Sequence, residues 1–368
     1  MILARRGTSI GLDEAQLPTA LSAARRKLAV ARSVARAWAD TAADKQRTDL
    51  AALFAREGFA FFALVKAPSI QLSFAVPAPP GELDATAFSL AKVIGTDVAT
   101  LPTLEACHYL TSLYTTLLPS STRSAFGAFY TPPALTKRLL DLANEGGVDW
   151  TTAHVLDPAS GGGAFLLEAA VRICESLANS EPAFVLAQLG QRLRGFEIDC
   201  QAAALAQAAF DILLADLSKA SGRPVPQIIK VCDALEEPAV EKYDLVVGNP
   251  PYGRVKLTAA QRERFKRSLF GHANLYGVFT DVALRWTKSG GAIVYLTPAS
   301  VLGGQYYTAL RRLLADEAPP AVLDFVHSRR GVFEDVLQET LLALYRKGSN
   351  DSRSRCITFR SRTSVMLD

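Results

Sequence analysis

The sequence predicts an α/β fold, a mainly parallel sheet covered by helices on both faces, with a helical region ahead of it. Three observations carry this. Before about residue 120, Ala, Leu and Arg recur at helical spacing. Beyond that point short apolar runs alternate with helical stretches, the pattern of a sheet built from strand–helix–strand units. The ends of successive strands then carry Asp157, Glu197, Asp233 and Asn249. The carboxyl edge of a parallel sheet is where such folds place ligand-binding side chains.

Taken in order, residues 17–39 and 49–56 read as helices, the first made basic by Arg25, Arg26, Lys27, Arg32 and Arg36. Residues 75–81 hold three prolines and read as a loop, and residues 103–118 read as an amphipathic helix. His108 on that helix is read as a core or surface histidine without a catalytic role. Residues 119–124 (Pro-Ser-Ser-Thr-Arg-Ser) read as a polar hinge, dividing a helical domain over 1–120 from a second domain over 121–368. In the second domain, strands are expected over 155–157, 193–198, 227–231, 245–248, 292–296, 322–326 and 340–345. Helices are expected from 164, to about 217, over 275–287 and over 305–315.

Bulk composition narrows the function. Hydrophobic residues make up 49% and charged residues 21% of the 368, which suits a packed globular chain. A net charge of +4 means that any nucleic-acid surface is a local patch. The five cysteines show no metal-ligand or redox spacing, so a reducing, cytoplasmic setting is expected. The longest apolar run, 59–65, is too short to span a bilayer, and no membrane partner is expected.

The first strand ends in Asp157-Pro158-Ala159-Ser160-Gly161-Gly162-Gly163. Glycines between strand and helix let a ligand approach the backbone. The spacing is not that of a phosphate loop, and the carboxylate opening the turn suits a ligand bearing ammonium or sulfonium charge. Glu197 stands where a doubly wound fold holds ribose hydroxyls, and Asp233 is placed to accept an exocyclic amine. The strand Leu245–Gly248 runs into Asn249-Pro250-Pro251-Tyr252. Two prolines remove two donors and leave an acceptor-rich corner, the Asn249 amide oxygen and the Pro250 carbonyl, beside the Tyr252 ring. A planar amino-bearing group suits it, its N–H bonds on the acceptors and its face on the ring.

In these motifs residues 123–346 resemble the catalytic domain of bacterial N6-adenine DNA methyltransferases of restriction–modification systems, in the gamma-type order with cofactor motifs ahead of the catalytic one. Gly127-Ala128-Phe129-Tyr130-Thr131-Pro132-Pro133 is similar to the Phe-Tyr-Thr-Pro element of that family, and Asn274-Leu275-Tyr276-Gly277-Val278-Phe279 to a further block of related enzymes. The resemblance implies a Rossmann-like fold of seven strands, the last antiparallel, with S-adenosylmethionine as cofactor. It implies cofactor contacts from Tyr130, Thr131, Pro132, Asp157, Ala159, Gly161, Gly163, Glu197, Ile198, Asp233, Ala234 and Asn249. Asn249, Pro250, Pro251 and Tyr252 would form the catalytic corner, with Tyr252 and Phe333 stacking on a base turned out of duplex DNA. Arg254, Lys256 and Arg264, in the basic stretch after the corner, are expected on the DNA backbone. No metal is required. The family's target-recognition region is not found after the last strands, so a separate specificity subunit and a cognate nuclease are candidate partners. Two alternatives are glutamine N5-methylation of a release factor and a modification subunit that is silent without its partner.

Overall fold

The computed structural model describes residues 19–74, 76–126, 131–239, 243–326, 340–349 and 355–359. Ahead of the sheet lie α1 (Thr19–Ala39), α2 (Asp44–Lys66), α3 (Ala85–Val98), α4 (Thr103–Leu117), α5 (Ser120–Phe126) and α6 (Pro133–Glu145). Then come β1 (Val155–Asp157), α7 (Ala164–Ser176), α8 (Pro182–Arg192), β2 (Leu193–Glu197), α9 (Cys200–Leu213), α10 (Ala215–Ser221), β3 (Ile229–Val231) and β4 (Tyr243–Gly248). The chain continues through α11 (Ala259–Arg264), α12 (Leu275–Trp286), β5 (Thr287–Pro298), α13 (Thr308–Glu317), β6 (Pro320–Val326), β7 (Thr340–Arg346) and β8 (Arg355–Phe359).

The sheet runs β3-β2-β1-β4-β5-β7-β6-β8. Strands β3 to β5 are parallel, and β7 enters antiparallel between β5 and β6. This is the Rossmann-like methyltransferase arrangement, as expected, with an addition. An eighth strand, β8, pairs parallel with β6 and extends the edge, where the sequence suggested only a basic tail. The strand order reverses beside β1, which opens a crevice above the carboxyl ends of β1 and β4.

Alternation along the central strands separates two cores. Val155, Leu245 and Val247 face one cluster, and Leu156 and Val246 face the other. The first cluster joins Phe54, Phe59, Leu110 and Leu117 of the leading helices to Phe165 and Phe210 behind the sheet, in one continuous apolar body. The second holds Phe196, Tyr276, Trp286 and Tyr295.

Local chemistry sets several boundaries. Asp199 caps α9 by accepting from the Gln201 and Ala202 amides, and Asn274 caps α12 by accepting from the Tyr276 amide. Thr258 and Gln261 form a reciprocal capping box on α11. Three expectations need correction. The hinge over 119–124 is the start of α5, with the Arg123 amide bonded to the Pro119 carbonyl at 2.9 Å, so the proline opens a helical turn. The helix expected to about 217 breaks after Leu213 into α9 and α10. Helix α13 starts at Thr308, three residues later than read, because residues 305–307 form a tighter 3₁₀ turn.

Candidate active site

A cavity of about 460 Å³ fills the crevice, within the range of small-molecule sites. Four strand ends and the glycine turn build its floor. Gly161 and Gly163 take positive φ of 51° and 78°, so the turn can fold tightly between β1 and α7. Its geometry is locked by the acid at the end of β2: Glu197 Oε2 accepts the Gly161 amide at 2.7 Å, and Oε1 accepts the Asp199 amide at 2.9 Å. Burial nevertheless pushes the Glu197 carboxyl up to about 7.

Asp157 lies beneath the turn, 1% exposed. Its Oδ1 accepts the Ala159 amide at 3.1 Å, and Oδ2 is buried without a partner. Burial pushes this carboxyl up to about 8. The neighbouring strand leaves it room, since a Cβ at Gly248 would stand 2.8 Å from Asp157 Oδ1. Asp233 lines the cavity at the end of β3, its Oδ1 taking the Leu235 amide at 2.9 Å.

The Asn-Pro-Pro-Tyr corner meets the cavity at the end of β4. Asn249 Nδ2 donates to Thr131 Oγ1 at 3.1 Å, and Asn249 Oδ1 accepts the Tyr252 hydroxyl at 2.6 Å. The Tyr252 oxygen also lies 3.2 Å from the Leu296 carbonyl, and its ring packs against Tyr276 at 6.2 Å. Burial holds this phenol well above its usual range. Asn249 is therefore held from two sides, with one acceptor direction on Oδ1 left over.

Of the expected cofactor residues, Thr131, Ala159, Gly161, Glu197, Ile198, Asp233, Ala234 and Asn249 line the cavity together. Pro251 also lines it, whereas Pro132, Gly163, Pro250 and Tyr252 are not among the lining residues, Pro132 and Tyr252 being half-buried beside them. Pro132 instead precedes α6, and Gly163 precedes α7 with Ala206 packed against it. Tyr130 and Phe333 fall outside the described residues. Among the basic residues, Arg254 and Lys256 are exposed at the rim, and Arg254 lies over the Tyr306 ring at 5.7 Å. Arg264 is committed inward, donating to the Glu237 carbonyl and lying over Phe265.

The sequence reading missed two sets of lining residues. His108, Thr111, Ser112, Tyr114 and Thr115 come from α4, far ahead in the chain. Leu275 and Phe279 come from the Asn-Leu-Tyr-Gly block, to which the sequence alone assigns no role. The structure supplies one. Asn274 caps α12 and bridges to Arg254, tying down the chain after the corner, and Tyr276 packs behind Tyr252.

S-adenosylmethionine suits this donor set. The orphaned Asp157 oxygen at the glycine turn can meet positive charge, the Glu197 carboxylate can meet a diol, and apolar Ile198 and Phe279 can flank a flat ring. Among the described residues no group of three His, Cys, Asp or Glu could hold a metal ion, and no single helix is long and apolar enough to cross a membrane.

Known proteins are similar to this chain in sequence and in fold. Residues 195–333 match the model of the Eco57I restriction-modification methylase family. The type II methyltransferase M.PstI of Providencia stuartii is 30% identical over 124 residues, 33% of this chain and 24% of that protein. M.TthHB8I of Thermus thermophilus is 29% identical over 214 residues, 55% of this chain and 41% of that protein. The chain thus spans less than half the length of these relatives. A Listeria monocytogenes structure described as a class I S-adenosylmethionine-dependent methyltransferase superposes with a TM-score of 0.51 at 14% identity, over 86% of this chain and 93% of that one. Over residues 195–333 the chain is thus similar in sequence to restriction-modification methylases, and over most of its length it has the fold of S-adenosylmethionine-dependent methyltransferases.

Proposed function

We propose that the protein transfers a methyl group from S-adenosylmethionine to the N6 amino group of an adenine turned out of duplex DNA, within a restriction–modification system. The observation that carries this is the clamped Asn249 amide at the mouth of the cavity, above the glycine turn. The cofactor supplies an electrophilic methyl on a positively charged sulfur. The chain's part is to position the acceptor and polarise its amine. Asn249 Oδ1 and the Pro250 carbonyl accept the two N–H bonds and draw the nitrogen lone pair out of conjugation with the ring. No covalent enzyme intermediate is needed, and no histidine serves as base.

The exposed Arg254 and Lys256 beside the corner favour a polyanionic substrate over a protein side chain. Reading of a DNA sequence is assigned to residues or subunits beyond these folded elements, in keeping with the greater length of the relatives. The test is transfer of tritiated methyl groups to mixed-sequence duplex DNA. Asn249→Ala is expected to lose about a hundredfold or more in transfer while S-adenosylhomocysteine affinity, read by calorimetry, stays within about twofold. Full activity in that variant would discard the mechanism.

A further inference from the structure

The cavity lining combines acids with an uncharged helix face. Its acids, Glu197, Asp199 and Asp233, all follow β2 and β3. Another part of the lining is the uncharged face of α4 that carries His108, Thr111 and Thr115, spaced three and four residues apart. This wall is fixed tightly to the glycine turn: a Cβ at Gly162 would lie 2.5 Å from Thr111 Cβ. The Tyr114 hydroxyl ties the same helix to Asp199 Oδ2 at 2.8 Å.

His108 is the unexplained group on this wall. It is 2% exposed, lines the cavity, and its Nδ1 is sealed away without a partner. Nε2 is thus the ring nitrogen left to face a ligand. Burial holds the imidazole below its usual range, at about 4, so it stays neutral with one N–H to give. One turn on, Ser112 Oγ accepts from Arg32 Nη2 at 2.6 Å, which puts a guanidinium directly behind the wall. Glu105 on the same helix acts on the ring but is paired with Arg25, and a neutral N–H donor with a guanidinium behind its wall suits an anionic oxygen.

We propose that α4 recognises the amino-acid end of the cofactor, with His108 Nε2–H donating to the α-carboxylate and Arg32 supplying positive field through Ser112. The proposal rests on the S-adenosylmethionine reading of the cavity and adds a residue that none of the motifs contains. It makes His108 a determinant of ligand specificity, acting at the far end from the transferred methyl.

Calorimetry on the full chain separates the alternatives. S-adenosylhomocysteine carries the amino-acid end, and 5′-methylthioadenosine shares its nucleoside and thioether but lacks that end. His108→Leu is expected to weaken S-adenosylhomocysteine binding about tenfold, the scale of one charge-assisted hydrogen bond, and to leave 5′-methylthioadenosine unchanged. His108→Gln keeps an N–H donor and is expected to recover most of the loss. Equal weakening of both ligands by His108→Leu would show that the ring only packs the wall, and no change in either would remove it from the site. Each result overturns the proposal. A wild-type chain that bound neither nucleoside would instead remove the cofactor reading, and this proposal with it.

Discussion

At the scale of single residues, the proposed chemistry would depend on one amide held in one orientation. Asn249 is gripped by Thr131 on its nitrogen and Tyr252 on its oxygen. In the proposed reaction the Tyr252 hydroxyl would therefore position the residue that polarises the substrate amine, apart from anything its ring does. Tyr252→Phe keeps the ring and is expected to lower kcat about tenfold, the worth of one hydrogen bond of about 1–1.5 kcal/mol, with S-adenosylhomocysteine affinity unchanged. An unaltered kcat would show that Thr131 alone is enough. Glu197 offers a second test. Its carboxyl is raised to about 7 in the folded chain by burial, and ribose hydroxyls can donate fully only to the ionised form. Affinity for S-adenosylhomocysteine is expected to rise severalfold from pH 6 to pH 8, with protons released on binding. A flat affinity with no buffer-dependent heat would argue that Glu197 is already ionised.

At the scale of elements, helices approach closely wherever glycine permits it. Gly95 on α3 faces Gly58 on α2, and a Cβ at Gly95 would lie 2.3 Å from the Gly58 carbonyl and 2.8 Å from Phe61 Cβ. Backbone cannot yield as a flexible side chain can, so the two helices would have to part. Gly95→Ala is expected to cost about 1–3 kcal/mol in urea unfolding, despite the usual gain in helix propensity from alanine. A stabilised variant would mean that the helices separate freely. The same reasoning explains why α3 was invisible to the sequence reading. Its packing face is made of Ala87, Ala91 and Gly95, with Ile94 and Val98 beside them, which is small-residue spacing where an apolar stripe was sought. The sheet strands were legible because they are short, apolar and punctuated by glycine and proline. Strand β8 was not, because a run that opens on Arg355 in a basic tail reads as solvated.

At the scale of the whole molecule, the cavity stores unfavourable charge. In an unfolded chain Asp157 and Glu197 would ionise near 4, whereas folded they keep their protons to about 8 and about 7. Between those limits the unfolded chain binds fewer protons than the folded one, so stability falls as pH rises and levels off above about 8. Urea unfolding of the unliganded protein should show this fall between pH 5 and pH 8. Stability that rose across the same window would mean that both acids are ionised in the fold. The strand-tip acids and the Asn-Pro-Pro-Tyr corner were legible because each sits next to its own strand in sequence. The α4 wall was not, because Thr111 meets Gly162 across about 50 residues of chain, and only packing brings them together.

The shared core of the leading helices and the sheet has a practical result. A shortened chain starting at Ser120 would keep every recognisable motif and still lose the roof over its ligand. It would also present Ala206, Ala209 and Phe210 to water, surfaces that Cys107 and Leu110 now share with the first apolar cluster. Trimming by motif boundaries would thus yield a sticky, open half-shell, and a minimal catalytic version should retain α2 and α4.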